Sequence, residues 1–426
     1  MVPEGWNTRN LGDLITYKKG FAFTSTDYND SGVRIIRISD TTRDSVHSEN
    51  PVYIPNEVAA KLDAHLLSTG DILLTTVGSR PHLIDSMVGK AIRVPSAASG
   101  SLLNQNLVKL IPIEGQVTNE YLFEILRKPK FRHYISTLVR GNANQVSISL
   151  SDLFKYKALM PNVREQKKIA QILSTWDKAI TTTEQLLANS QQQKKALMQQ
   201  LLTGKKRLLD ENGVRFSEEW LRKIFGDICS FYKGYTYKSS EYSTSKTQYG
   251  FLTLKSIARG GGYSESGIKF LLNEVDEQFA ISENDLVFAV TDLTRNAEVV
   301  GAPILVPRLP FYKTYISMDL MKLVPHKSID KRFLFHLLRL KKIRNFMRAR
   351  ASGSTVLHLD VKGCKKLELS IPAIQEQKKV ASVLDSADVQ INLLKRKLDY
   401  LKREKKALMQ QLLTGKRRVK IDDEIA

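Results

Sequence analysis

The sequence is poor in cysteine and has no long apolar run. Its 426 residues include only Cys229 and Cys364, which lie far apart and have no cysteine or histidine partners at metal-ligand spacing. This argues against a disulfide framework and a zinc site, and it suits a reducing cytosol. No stretch approaches the roughly 18 to 20 apolar residues of a membrane span, and the opening MVPEGWNTRNLGDL lacks the layout of a signal peptide. We therefore expect a soluble, cytoplasmic protein with no membrane partner.

Common catalytic motifs are missing as well. Residues 204–206 (GKK) lack the glycine-rich lead and the Ser/Thr of a Walker A motif, and no G-x-G-x-x-G, HExxH or G-x-S-x-G motif occurs. The seven histidines show no metal-ligand spacing, and the acidic residues form no convincing nuclease cluster. We expect no catalytic residue, no bound metal and no cofactor on this chain. A stand-alone nuclease or methyltransferase remains the alternative, and it would need a motif that this sequence does not display.

Positive charge is what the sequence has in excess. There are 65 Lys and Arg residues against 44 Asp and Glu, which gives a formal net charge of +21, and 42% of the residues are hydrophobic. The hydrophobic share is sufficient for packed cores, so the charge belongs to a folded protein. A folded protein this basic usually binds a polyanion, because Lys and Arg that neutralise phosphates release condensed counterions.

The chain contains an internal repeat. The twelve residues KKALMQQLLTGK occur at 194–205 and again at 405–416, and the similarity extends back without a gap to Pro161 and Pro372. Weaker similarity covers the rest, including Trp6 with Trp220. Each copy is thus a variable block followed by a near-invariant block. We divide the chain into a first domain (1–158), a first helical region (159–207), a second domain (208–369) and a second helical region with a C-terminal tail (370–426).

The near-invariant blocks predict two helices of about 40 residues, each near 60 Å long. Apolar residues in the second copy alternate in steps of four and three, with Lys405 in the one polar gap: Val380, Leu384, Ala387, Ile391, Leu394, Leu398, Leu401, Leu408 and Leu412. That spacing is typical of a coiled-coil seam. The first copy keeps the phase, with interruptions at Thr183, Ser190 and Lys194. We expect the two helices to pair as an antiparallel coiled coil; a scaffold whose helices only dock on another protein is the alternative.

The variable blocks predict α/β domains. Short β-rich runs occur at 33–38, 72–76, 91–94 and 107–111, with counterparts at 251–254, 286–290 and 304–306. Each block then has a helical stretch, at about 119–139 and 329–350. The expected fold is α+β: two α/β domains separated by two long helices, with a pseudo-twofold internal repeat.

The ends of both late helical stretches, 127–140 and 337–350, carry basic residues with interleaved aromatics and no acid. Such runs suit phosphate contacts, which position a protein on DNA without reading sequence, although a charge run is often only a solvated face. The recurring Lys-Gly-aromatic turns allow a DNA contact or a structural glycine turn with a packed aromatic. The phosphate candidates from these segments are Lys18, Lys19, Lys128, Lys130, Arg132, Lys233, Lys341, Lys342, Arg344 and Arg348.

Base reading requires side chains that present paired donors and acceptors; Arg suits guanine, whereas Asn and Gln suit adenine. Two loops in each block supply them, at 76–80 (TVGSR) and 141–147 (GNANQVS) in the first and at 291–296 (TDLTRN) and 352–358 (SGSTVLH) in the second. These loops differ between the copies while the long helices do not, as two readers of different half-sites would require. The base-reading candidates are Arg80, Asn142, Asn144, Gln145, Thr291, Arg295 and Ser354, and ordinary loop solvation is the alternative for each.

The openings VPEGWNTRNLGDL and EEWLRKIFGDI, the helix starts REQKKIAQIL and QEQKKVASVL, and the doubled ALMQQLLTGK resemble the specificity subunits of type I restriction–modification systems. The resemblance covers essentially the whole chain. It implies two target-recognition domains that each read half of a bipartite site in double-stranded DNA, and helices that act as a spacer ruler. It also implies partners: two methyltransferase subunits and, in a cleaving complex, two restriction subunits. Those partners would carry S-adenosylmethionine, ATP and Mg²⁺.

Overall fold

The computed structural model describes residues 2–80, 82–83, 87–141, 146–243, 245–294 and 296–421, which form two compact units. Unit 1 consists of Met1–Glu184 together with Arg396–Ala426, and unit 2 is Gln185–Lys395. The sequence division assigned each long helix to a segment of its own. In the structure, each long helix instead contributes one half to each unit, because its two halves pack into different cores.

Unit 1 is built around an antiparallel four-stranded sheet in the order β2-β9-β5-β7. Smaller sheets have the orders β4-β3-β8, β1-β11 and β6-β10. The strands are β1 (Asn7–Asn10), β2 (Ile15–Lys19), β3 (Val33–Ile36), β4 (Val52–Ile54), β5 (Ile72–Thr75), β6 (Val77–Gly78), β7 (Ala91–Arg93), β8 (Leu102–Leu103), β9 (Leu107–Pro112), β10 (Val146–Ser147) and β11 (Lys157–Met160). The helices that begin in this unit are α1 (Asn56–Ala59), α2 (Asn119–Leu126), α3 (Pro129–Leu138), α4 (Leu150–Leu153) and α5 (Val163–Leu201).

Unit 2 repeats this plan, with a four-stranded sheet in the order β13-β22-β18-β20. It adds sheets with the orders β14-β16-β15-β21-β17, β19-β24-β23 and β12-β25. The strands are β12 (Leu221–Ile224), β13 (Cys229–Lys233), β14 (Tyr242–Ser243), β15 (Tyr249–Leu252), β16 (Ile268–Leu271), β17 (Ala280–Ile281), β18 (Leu286–Ala289), β19 (Thr291–Asp292), β20 (Pro303–Leu305), β21 (Lys313–Ile316), β22 (Leu320–Pro325), β23 (Ala351–Ser352), β24 (Leu357–Leu359) and β25 (Glu368–Ile371). The helices are α6 (Phe225–Ile228), α7 (Lys331–Leu338), α8 (Lys341–Arg348), α9 (Val361–Lys365) and α10 (Ile374–Leu412).

The β-rich runs are strands as expected, but each late helical stretch is two helices. In the first copy the break falls at Lys128, which is extended (φ −62°, ψ 143°), and Pro129 then begins α3. Proline disfavours a helical conformation in the residue before it, and it has no N–H to donate to the preceding turn. In the first copy the basic residues therefore lie at the break and on α3, because α2 contains none.

The two long helices, α5 and α10, contain 39 residues each and pair in antiparallel fashion. In unit 1, Asp177 of α5 lies 2.5 Å from the Lys405 ammonium of α10, and Glu184 lies 2.6 Å from that of Lys402. From the first contact to the second, the residue number rises along α5 and falls along α10, so the two helices run antiparallel. In unit 2 the other halves meet through Lys194 of α5 and Asp388 of α10.

The two lysines that interrupt the seam are buried and ion-paired. Lys405, the one polar gap of α10, is 6% exposed and contacts Asp177, which also accepts a hydrogen bond from Arg127 at the end of α2 (2.9 Å). In unit 2, the buried Lys194 contacts Asp388, and Arg339 at the end of α7 lies 3.2 Å from the same carboxylate. Each aspartate thus joins both long helices to a helix of the globular domain.

A second repeated cluster fixes the start of each long helix. In unit 1 the buried Glu165 accepts hydrogen bonds from the Trp6 indole (3.1 Å) and from Arg418 in the tail after α10 (2.7 and 2.9 Å). In unit 2 the buried Glu376 accepts the same bonds from Trp220 (3.2 Å) and from Arg207 after α5 (2.6 and 2.7 Å). The beginning of one long helix, the end of the other and the domain entry are therefore joined at one carboxylate.

These contacts predict how unit 1 responds to the loss of Asp177. Burial alone would raise the pKa of Asp177, but Arg127 and Lys405 outweigh burial and the pKa lies below its ordinary value. Its stabilising effect is therefore complete at neutral pH and disappears as the pH falls through the lowered pKa. We expect Asp177→Asn to lower the free energy of unfolding of unit 1 by about 2 to 4 kcal/mol at pH 7, because the buried Lys405 loses its acidic partner. Arg127 loses one of its three acidic partners and keeps Asp44 and Glu124.

The measurement is urea denaturation of the full chain, followed by circular dichroism, at pH 7 and at a pH well below the ordinary aspartate pKa of 3.8. The stability difference between Asp177→Asn and the wild type should shrink at the lower pH. Asp30→Asn changes an exposed aspartate of the same unit and should alter stability at neither pH. Equal behaviour of the two variants would contradict the structural role of Asp177.

Candidate nucleic-acid interface

The structure brings the two candidate reading loops of each domain together. In unit 1, β6 leads into the first loop and pairs with β10, which follows the second loop; Gly78 lies opposite Val146. In unit 2, β19 leads into the first loop and pairs with β24, and Asp292 lies opposite Leu357. Strand β24 also pairs with β23, so the second loop of this unit connects two neighbouring strands. Loops far apart in sequence thus form one loop pair in each unit.

The lysines before the glycine turns lie at the same edge of the main sheet as these loops. In unit 1, Lys19 at the end of β2 pairs with Val108 of β9, and Thr75 at the end of β5 pairs with the adjacent Leu107. The end of β2 and the start of the first reading loop are therefore two strand spacings apart, about 10 Å. In unit 2, Lys233 of β13 and the end of β18 stand in the same relation across β22. Both Lys19 and Lys233 are exposed.

The glycine turns themselves are structural. A Cβ atom on Gly20 would lie 1.9 Å from the carbonyl oxygen of Asn104, and one on Gly234 would lie 2.1 Å from that of Ser317. The following Phe21 packs against Phe23 with the ring centroids 5.0 Å apart and the ring planes inclined by 60°. Only glycine allows this close backbone approach. The turn explains the recurring glycine and aromatic residues, and the lysines before it remain available for DNA.

The remaining phosphate candidates fall into three groups. Lys130, Lys341 and Lys342 are exposed in the first turns of α3 and α8, and Lys18, Arg132 and Arg348 are half-buried. Lys128 and Arg344 are buried at 8% and 4% exposure. A cation in the first turn of a helix gains nothing from the helix dipole, so the exposed lysines there contribute to charge rather than to helix stability.

Lys128 and Arg344 were predicted to bind DNA phosphates, but the structure places both side chains in the interior. Lys128 donates to the carbonyl oxygen of Leu413 (2.7 Å), and burial lowers its pKa to about 8. Arg344 donates to the carbonyl oxygen of Glu298 (3.0 Å) and to that of Val300. Their donors serve the interior of the protein, so we no longer expect either side chain to bind DNA.

Thr291 was predicted to read bases, and its position in the structure argues against that role. It lies in β19, is 5% exposed, and its hydroxyl hydrogen bonds with Asp319 (3.0 Å). Arg80 and Ser354 are exposed just beyond β6 and β23, where a duplex could reach them. The four other base-reading candidates lie outside the residues that the structure describes: Asn142, Asn144, Gln145 and Arg295.

One residue that sequence reasoning did not single out is Asp292, which is fully buried at the base of the second unit's reading loop. Its carboxylate accepts hydrogen bonds from the backbone N–H groups of Thr294 (2.6 Å), Val299 (2.5 Å) and Val300 (2.6 Å). Burial alone would raise the pKa of Asp292, but these hydrogen bonds outweigh it and lower the pKa, so the group is charged at neutral pH. A single aspartate after a strand gives no pattern in sequence, because its partners are backbone atoms.

The described residues contain neither a candidate metal site nor a candidate membrane span. No group of three or more His, Cys, Asp or Glu side chains among them is arranged to hold a metal ion. None of the helices in that part of the chain combines the length and the apolar character that crossing a membrane requires.

Comparison with known families gives two matches along this chain. The Type I restriction modification DNA specificity domain matches residues 3–189 and again residues 217–403. These matches cover most of the sequence and coincide with the two copies of the repeat. The chain belongs to the family of type I restriction–modification DNA specificity proteins.

Individual relatives agree with this assignment. The type I restriction enzyme MjaVIII specificity subunit of Methanocaldococcus jannaschii is 24% identical over 451 residues, which cover 98% of this chain and 94% of that protein. The EcoAI specificity subunit of Escherichia coli is 27% identical over 186 residues, 43% of this chain and 30% of that protein. The crystal structure of the S subunit of a type I restriction–modification system from M. genitalium superimposes with a TM-score of 0.63 at 17% identity, covering 97% of this chain and 96% of that one. The last comparison shows that the fold is shared.

The geometry predicts that the edge lysines contribute electrostatically to DNA binding. We expect Lys19→Gln and Lys233→Gln each to weaken binding of duplex DNA and to reduce the slope of log K against log salt by about 1. The measurement is a salt titration of the full chain with fluorescent duplex DNA.

Lys128→Met provides the contrast, because its ammonium is bonded inside unit 1. This variant should lower the melting temperature and leave the salt slope unchanged. A salt slope that is the same in wild type, Lys19→Gln and Lys233→Gln would place the DNA away from this sheet edge.

Proposed function

We propose that each unit reads one half of a bipartite site in double-stranded DNA and that the chain itself catalyses nothing. The observation that carries the proposal is the duplicated loop pair, placed at the same sheet edge as an exposed lysine in both units. Backbone phosphates would meet the lysines, and base edges would meet the loops. The two loop pairs differ in sequence, so the two half-sites would differ as well.

The long helices would set the spacer between the half-sites and provide the surface on which two methyltransferase subunits dock. Methylation would require S-adenosylmethionine bound to those subunits, and cleavage would require two restriction subunits with ATP and Mg²⁺. The complex would work on DNA in the cytoplasm. The excess of positive charge, +21, supports a polyanionic partner for this chain.

The direct test is methylation mapping in cells that express this chain together with its methyltransferase. A bipartite motif that appears only when both are expressed supports the proposal. A stand-alone enzyme would act on DNA as purified chain with Mg²⁺ and S-adenosylmethionine, and a coiled-coil scaffold would show no salt-dependent DNA binding even with the methyltransferase present.

Exchange of one domain should change one half of the site. We expect replacement of residues 1–155 by the matching segment of another family member to alter one half-site and leave the other half-site unchanged. The new site is read from a methylation map of cells expressing the chimera with the methyltransferase. Simultaneous change of both halves would contradict independent reading by the two units.

Lengthening both long helices should lengthen the spacer. One heptad inserted between Glu184 and Gln185, and another between Lys395 and Arg396, keeps the seam in phase and adds about 10.5 Å to each helix, since the rise is about 1.5 Å per residue. At about 3.4 Å per base pair, the spacer should grow by about three base pairs, with both half-sites retained. A methylated motif with its original spacer would count against the ruler.

A further inference from the structure

The reading loop of unit 2 is described at residues 293–294 and 296–299, and one buried side chain fixes both of its ends. Asp292 holds the beginning of the loop through the N–H of Thr294, and it holds the end through the N–H groups of Val299 and Val300. The carboxylate is completely buried, so it has no competing water contact. Hydrogen bonds to a charged acceptor are about twice as strong as neutral ones.

Helix α8 holds the loop from its other side. Arg344 donates to the carbonyl oxygens of Glu298 and Val300, and Nε of Arg348 donates to the carbonyl oxygen of Ala297 (2.8 Å). The loop backbone is thus bonded to the Asp292 carboxylate through its N–H groups and to two guanidinium groups through its carbonyl groups. We call Asp292, Arg344 and Arg348 the loop clamp.

The clamped conformation is not the one that would be adopted for stability alone. Ala297 has φ +51°, in the left-handed region that disfavours residues with a Cβ. Leu293, at the start of the loop, is 61% exposed although it is apolar. Backbone strain of this kind persists where the surrounding contacts over-determine the conformation, and it is concentrated at functional sites.

Unit 1 lacks these partners at the equivalent positions, as far as its residues are described. Ser136 occupies the position of Arg348, and its hydroxyl donates to the carbonyl oxygen of His133 in its own helix (2.6 Å). Arg132 occupies the position of Arg344 and donates to the carbonyl oxygen of Arg127 (3.2 Å). Gly78, which has no side chain, takes the place of Asp292 in the strand pair of this unit. The repeat therefore preserves the scaffold and differs in how the reading loop is held.

We propose that the loop clamp positions residues 293–294 and 296–299 for base reading and sets the base discrimination of the half-site that unit 2 reads. This inference rests on the proposed function of the two units. A loop that is already fixed loses little conformational freedom on binding, and it cannot rearrange to accommodate an incorrect base pair. The clamp residues would act through the loop, and in this proposal Arg348 holds the loop backbone instead of binding phosphate.

The test uses the full complex of this chain with its methyltransferase. Rates of methyl transfer are measured for the cognate duplex and for duplexes with one altered base pair in either half-site. The half-site of unit 2 is the one that survives exchange of residues 1–155. Arg348→Met removes the donor and keeps the apolar stem, so we expect discrimination in that half-site to fall about tenfold and the other half-site to keep its wild-type value.

Arg348→Lys keeps a cationic donor and should retain most of the discrimination. Ser136→Met is the matched variant in unit 1, at the position equivalent to Arg348, and it should leave the discrimination of both half-sites unchanged. If Arg348 only stabilised the fold, its loss would reduce methyl transfer on all duplexes equally. If it positions the loop, its loss should change the ratio of cognate to altered rates in one half-site only.

Wild-type discrimination in the Arg348→Met complex would overturn the inference, and so would an equal loss in both half-sites. Under either outcome, the proposed function stands as long as the wild-type complex distinguishes the cognate base pairs from the altered ones in both half-sites. A wild-type complex without any half-site discrimination would refute the proposed function and the clamp together.

Discussion

A buried lysine on each long helix has to be neutralised, and the fold depends on how this is achieved. In both helices the lysine lies 17 residues after an aspartate, at Asp177 and Lys194 in α5 and at Asp388 and Lys405 in α10. An antiparallel pair in this register places each lysine on the aspartate of the other helix. A parallel pair of the same two repeats would place like charges opposite each other in a buried seam. The repeated charge pattern thus selects one orientation and disfavours the other, and Arg127 and Arg339 then attach the domains to the same carboxylates.

Sequence periodicity predicted the two long helices, their lengths within a residue or two and their antiparallel pairing, because a heptad pattern reports which face is buried. It did not identify the partner of the polar residues on that face, since Asp177 and Lys405 are more than 200 residues apart. The basic runs were harder to interpret. Arg344 lies between Ile343 and Met347 on the buried side of α8, but the aromatic and basic composition of the run drew attention to phosphate binding. Asp292 was invisible for a different reason: its partners are backbone N–H groups, which every sequence provides.

The two units share a scaffold and differ in their loops, and that division has a physical basis. The four-stranded sheet, the ion-paired aspartates and the Trp–Glu–Arg clusters recur with nearly the same distances in both units. The reading loops and their supports do not recur. Since the loops are held by residues outside the repeated clusters, substitutions in a loop or its clamp need not disturb the seam. A chain of this design can change what one unit recognises while the other unit and the helices keep their structure.

The Trp–Glu–Arg cluster of unit 1 has a consequence for the order of folding during synthesis. Its Trp6 is made 412 residues before Arg418, and the core of this unit also includes Leu412 and Leu413. Unit 2 is continuous in sequence and can close while the ribosome is still translating. At about 5 to 20 residues per second, the 211 residues of Gln185–Lys395 take about 10 to 40 s to make. Unit 1 therefore waits for its second helical half until unit 2 has been made, and the part of its core that Leu412 and Leu413 complete stays open during that interval.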